Sequence, residues 1–148
     1  MQKKIILIFY FLFFNVNLYC SEDYFLTLRN EKVNLRQGPS FEYPIKLFYE
    51  KKYLPILITD KSGNFRKIKD HENNNGWIHI SQLSKRKAAI TIKEKLILFN
   101  SPTIYSKPLV VLEKGRLCLI IKCKEEWCKI KISNYKGWVK KKALWGRL

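Results

Sequence analysis

Four cysteines and two histidines are the side chains of this 148-residue chain best suited to chemistry. A nucleophilic centre needs a thiol or hydroxyl within reach of a base, and a zinc site needs Cys or His at short, regular spacings. Neither pattern is present. His71 follows Asp70 in a polar run, His79 stands in the next apolar segment, and neither adjoins a nucleophile motif. The cysteines at 20, 118, 123 and 128 match no zinc spacing, and no glycine-rich phosphate loop occurs. The chain is therefore read as no enzyme, with no catalytic residue, no metal and no cofactor. What remains is a Cys-x4-Cys pair in "IIKCKEEWCKI" and a further thiol in "RLCLII", whose fate depends on the redox compartment.

The first twenty residues bear on that compartment. Lys3 and Lys4 precede an apolar run from Ile5 to Phe14, and a more polar stretch follows to Cys20. This is the layout of a secretory signal peptide, too short to span a bilayer and broken by Asn15 and Asn17. Tyr19 before Cys20 disfavours a lipoprotein signal, so the mature chain is expected to start near Ser21, periplasmic or secreted. Loss of Lys3 and Lys4 from 29 basic residues leaves 27 against 12 acidic ones, taking the formal charge from +17 to +15. An exported protein this basic attracts anionic partners in a salt-sensitive way, an anionic membrane surface among them. Export, and the lack of any recognition motif, argue against nucleic acid.

The elements that must position these residues occur twice. "FRKIKDHENNNGWIHISQL" and "CKEEWCKIKISNYKGWVKKKAL" share an aromatic start, Lys-Ile-Lys, Gly-Trp and a closing Leu. Pro39 answers to Pro102, Leu54 to Leu117, Phe65 to Trp127, Ile68 to Ile130, Trp77 to Trp138 and Leu83 to Leu144, a unit of about sixty residues. Alternation in Leu54, Ile56 and Ile58, or in Leu117, Leu119 and Ile121, predicts half-buried strands, and Gly, Pro and Asn clusters separate them. The spacing predicts five short strands per copy: an all-β chain of two small antiparallel barrels, joined through "SKRKAAITIK". The organisation is a signal peptide over 1–20, one barrel over 24–87 and a second over 88–148.

"VNLRQGPSFEYPI", followed by "NFRKIKDHENNNGWIHISQLS", resembles the bacterial SH3-like domain in its Val-Asn-Leu-Arg start, its Gly-Pro and its Gly-Trp before a closing Leu. The tandem form, with Cys-x4-Cys and a final Ala-Leu-Trp-Gly, is similar to exported two-domain SH3-like proteins of alphaproteobacteria. The second copy departs from the opening motif, with Phe99 for Arg36 and Ser101 for Gly38. The resemblance implies two SH3-like barrels and a cell-wall or peptide ligand. Peptidoglycan, whose stems carry carboxylates, suits a basic protein. The other reading is a structural subunit that docks on an envelope protein by strand addition at a barrel edge.

Trp77 and Trp138 are expected to pin their strands to the barrel cores. Phe41, Tyr43 and Tyr105, in the long loop of each copy, are the candidate ligand contacts, because loops on rigid scaffolds present binding groups. Lys136, Lys140, Lys141 and Lys142 form the densest basic patch, a candidate surface for an anionic partner. In the second copy Cys123 is read in phase with Leu117, Leu119 and Ile121, and Cys128 in phase with Ile130 and Ile132. Both thiols then point to one side of a tight hairpin, which predicts a Cys123–Cys128 disulfide and leaves Cys118 out of phase and unpaired.

Overall fold

Strands with one apolar and one polar face need a partner layer, and two sixty-residue sets each meet that need by curling into a barrel. The computed structural model describes residues 22–148; the expected signal peptide and its cleavage point lie outside the described residues. The first set comprises β1 (Tyr24–Leu28), β2 (Val33–Arg36), β3 (Ile45–Tyr49), β4 (Pro55–Ser62), β5 (Phe65–Lys69), β6 (Asn75–His79) and β7 (Leu83–Ser84). The second comprises β8 (Ala88–Thr91), β9 (Leu96–Phe99), β10 (Pro108–Leu112), β11 (Leu117–Lys124), β12 (Trp127–Ile132), β13 (Tyr135–Lys140) and β14 (Leu144–Arg147). Strand orders are β3-β2-β6-β5-β4-β1-β7 and β10-β9-β13-β12-β11-β8-β14, the same order twice, with antiparallel pairs throughout. A single 3-10 turn precedes the last strand of each set, at Ile80–Gln82 and Lys141–Ala143.

Each barrel thus has seven strands rather than five. One of the extra strands, β8, lies inside the segment read as a connector. All four of its residues are buried. Ala89 packs into the second core and Ile90 into the first, so the strand has no solvent face and shows no alternation in sequence.

The longest hairpin of each barrel is bent at one position. Register slips between Ile58 and Asp60 in β4, and between Ile120 and Lys122 in β11, leaving Thr59 and Ile121 as bulge residues. The core face of β11 therefore carries Cys118 and Ile120 and resumes at Cys123, while Leu119 lies opposite Lys131 on the outer face. This corrects the expected phase. "LCLII" is apolar on both parities, so alternation could not choose a face. It also corrects the repeat alignment: Cys118, not Leu117, follows the core series, and it takes the place of Ile56 one repeat earlier, each lying two residues before the register slip.

Barrel closure explains the Gly-Trp pairs. β6 meets β2 at Arg36–Trp77, and β13 meets β9 at Trp138–Phe99. A Cβ on Gly76 would stand 2.7 Å from the Arg36 carbonyl oxygen, and one on Gly137 would stand 2.6 Å from that of Phe99. Glycine is required where the closing strands cross this closely. Gly76 and Gly137 face inward, so the next residue on each strand must face out. Trp138 is buried and Trp77 half-buried, yet both lie on the outer face, opposite Lys129 and Lys67. The expectation that they are buried against the cores holds in burial for Trp138, and is corrected in direction for both, since neither ring joins a core cluster.

Candidate functional site

In the first barrel the residues between β2 and β3 form a loop held by its own backbone. Gln37 N–H donates to the Pro44 carbonyl, Glu42 N–H to Ser40 Oγ, and Arg36 Nη1 to the carbonyls of Phe41 (3.1 Å) and Tyr43 (2.9 Å). The Tyr43 ring lies over Gly38, where a Cβ would meet it at 2.5 Å. These contacts aim Phe41 at the neck of the β5–β6 ladder. Its ring lies 5.2 Å from Phe65 and 5.1 Å from His79, the two rings themselves being 5.1 Å apart. The Arg36 guanidinium stands 5.4 Å from the Phe41 centroid. Phe65 is buried but Phe41 is 59% exposed, so the cluster is a rooted aromatic ledge with one cation beside it.

Phe41 and Tyr43, both candidates from sequence, therefore share one loop held by Arg36, but only the Phe41 ring joins the aromatic cluster. Phe65, His79 and Arg36 were not foreseen there. The signal for them was cross-strand: Phe65 pairs with His79, but that register could not be set before the hairpin was known. His79 Nδ1 is 2.8 Å from Ser81 Oγ, a turn contact that orients the ring.

The loop of the second barrel repeats this backbone plan with different side chains. Asn100 N–H donates to Lys107 O, and Tyr105 N–H to Thr103 Oγ1. Ile104 thus stands at the place of Phe41, and Tyr105 at that of Glu42. Tyr105 is 91% exposed and joins no ring cluster among the described residues. In place of the Phe65–His79 pair, Trp127 faces Lys140, whose Nζ lies 4.3 Å from the indole centroid, and Phe99 packs edge-on at 5.8 Å.

The lysine patch is rearranged. Lys136 and Lys140 sit at opposite ends of β13, on its outer face with Trp138 between them, while Lys141 and Lys142 belong to the 3-10 turn. Lys131 and Lys129 of β12, and Lys122 and Lys124 of β11, share that outer face. Among the described residues the one ion pair is His71 Nε2 with Glu72 Oε1 at 4.0 Å, so these lysines form no salt bridge there.

Cys123 and Cys128 are directly opposed and disulfide-bonded, with Cα atoms 4.0 Å apart. Cys118 is free, buried, and donates its thiol to the Ala89 carbonyl. Burial pushes its pKa up to about 12. Asp70, also buried, accepts from Tyr49 Oη, Asn74 Nδ2 and the N–H groups of Glu72 and Asn74, which makes it a turn anchor. Burial, and then the Asp70 charge, raise the Tyr49 hydroxyl above its ordinary value. No group of three or more His, Cys, Asp or Glu gathers among the described residues in a way that could hold a metal ion.

The family model for the bacterial SH3 domain matches residues 29–85 and 93–146. No curated protein matches. Among solved structures, NlpC2 from Trichomonas vaginalis is similar at 12% identity and a TM-score of 0.39, over 85% of this chain and 49% of that one. NlpC1 from the same organism gives 13% and 0.37, over 83% and 45%. An NlpC/P60 family protein from Bacillus cereus gives 12% and 0.38, over 82% and 56%. The chain spans about half the length of these structures.

Proposed function

Because the chain belongs to the bacterial SH3 domain family, we propose that it is an exported, non-enzymatic adaptor of the cell envelope whose first barrel binds peptidoglycan. Bacterial SH3 domains are binding modules, and the ligand here is chosen from the surface. The observation that carries the choice is the ledge of Phe41 with Arg36 beside it. An exposed ring rooted on Phe65 offers a face for a sugar or a peptide backbone, and the guanidinium offers charge for a stem carboxylate. The second barrel has Ile104 and Phe99 at these two places, so the wall-binding role falls to the first.

Co-sedimentation with purified peptidoglycan tests the proposal. Wild-type protein is expected to pellet at low salt and to be released as salt rises. Phe41→Ala removes an exposed ring, so it should keep the melting temperature and weaken binding about tenfold, near the 1.4 kcal/mol that one aromatic contact contributes. Equal retention of wild type and variant would sink the assignment. A second reading, docking on an envelope protein by strand addition, is favoured by β3, which ends its sheet and leaves Ile45 and Phe48 exposed. It predicts binding that survives Phe41→Ala and is lost when proline replaces a β3 residue.

A further inference from the structure

The same outer face carries different charge in the two barrels. On β4–β6 the outward positions Asp60, Lys67 and Lys69 sum to +1. On β11–β13 they are Lys122, Lys124, Lys129, Lys131, Lys136 and Lys140, or +6, and none of these three strands carries an acid. A lysine-rich composition alone would raise both faces alike.

The pairing is informative too. Asp60 opposes Lys67 in the first barrel, whereas at the matching rung Lys122 opposes Lys129, and Lys131 opposes Lys136. Like charges directly across a ladder destabilise it. This face carries two such rungs, and tryptophan rings lie under two of its amines, with Lys140 Nζ at 4.3 Å and Lys122 Nζ at 5.7 Å. Lys131 also lines an open depression with Lys85, Arg86, Lys87, Leu119 and Ile121. Ile121, displaced by the bulge, is 46% exposed among these cations.

We infer that this face of the second barrel docks on an anionic phospholipid bilayer. Lysine ammoniums on flexible stems, spread over a sheet, make delocalised attraction to many headgroups rather than the bidentate grip of a closed anion site. The exposed Ile121 within the cationic field favours a bilayer over a soluble polyanion, since an aliphatic side chain gains from reaching the acyl boundary and gains nothing from a hydrated chain of phosphates. The inference is independent of wall binding, which uses the other barrel's loop.

Vesicle co-sedimentation decides it, with phosphatidylglycerol mixed into phosphatidylethanolamine as the anionic probe and phosphatidylcholine as the neutral one. Wild-type protein is expected to bind the anionic vesicles, to be released by salt, and to ignore phosphatidylcholine. Each lysine near a bilayer surface contributes about fivefold in affinity, so Lys131→Gln with Lys136→Gln should cost about 25-fold. Ile121→Ser should weaken vesicle binding and leave retention on soluble polyphosphate unchanged. Lys67→Gln with Lys69→Gln in the first barrel is the matched control and should cost less than about threefold. All variants are surface changes, and an unchanged melting temperature establishes that they fold. Three results would overturn the inference: equal losses from the two lysine pairs, equal binding to phosphatidylcholine, or binding to polyphosphate without binding to vesicles.

Discussion

Cys118 illustrates how one residue's chemistry is decided by its place. In the first barrel its position is held by Ile56, a fully buried core residue, and the thiol inherits that role as a small apolar group. Burial raises its pKa from 9.0 to about 12. The folded state therefore holds the thiol proton more tightly than the unfolded chain does, and stability is full below pH 9. As pH rises from 9 towards 12 the unfolded chain loses its proton first, and stability falls by up to about 1.4 kcal/mol per pH unit. Tyr49, shifted the same way, adds to the decline above pH 10. Native protein at neutral pH should leave Cys118 unlabelled by iodoacetamide, with full labelling in denaturant. Rapid labelling of the folded protein would show that the thiol is accessible.

At the scale of elements, the second hairpin shows why only one copy carries a staple. Gly63 in the first hairpin has φ +52°, and in the second Glu125 has the same φ of +52°. A non-glycine residue in the left-handed region costs about 1 kcal/mol or more, and the adjacent rung sets Lys122 against Lys129. The disulfide between these two features closes so short a loop that chain entropy assigns it roughly 2 kcal/mol, enough to offset either one. Cys123→Ser with Cys128→Ser should lower stability by about that amount in urea unfolding, with the loss of amide protection centred on β11–β12. Non-reducing peptide mapping should show Cys123 joined to Cys128. The pair was legible in sequence because Cys-x4-Cys fits the two ends of a tight hairpin, although the phase assigned to Cys123 was not, and the repeats were legible because turn residues and Gly-Trp recur with them. Strand phase in "LCLII" was not, since a one-residue bulge exchanges faces and both faces are apolar. The aromatic ledge was partly legible: the loop named Phe41, while Phe65 and His79 reached it only through pairing across strands.

At the scale of the whole molecule, β8 makes two barrels into one object. Its backbone pairs with β11 and β14 of the second sheet, yet the Ile90 side chain completes the first core, where Leu117 also packs. Around it, Trp145 stacks edge-on against Phe25 with centroids 4.8 Å apart, and Arg147 Nη1 donates to the Phe25 carbonyl at 2.9 Å. A sixty-residue barrel buries little on its own, so these shared groups are a large fraction of what holds either half. The two repeats are therefore expected to unfold in a single cooperative transition, with calorimetric and van't Hoff enthalpies equal. Ile90→Ala deletes a side chain that is 1% exposed and should cost about 2–5 kcal/mol. Although residue 90 belongs by sequence to the second repeat, its loss should reduce hydrogen-exchange protection in β4–β6 as well as in β11–β13. Protection lost from one barrel alone, or two separate melting steps in the wild-type protein, would mean that the barrels are independent beads and that β8 serves only its own sheet.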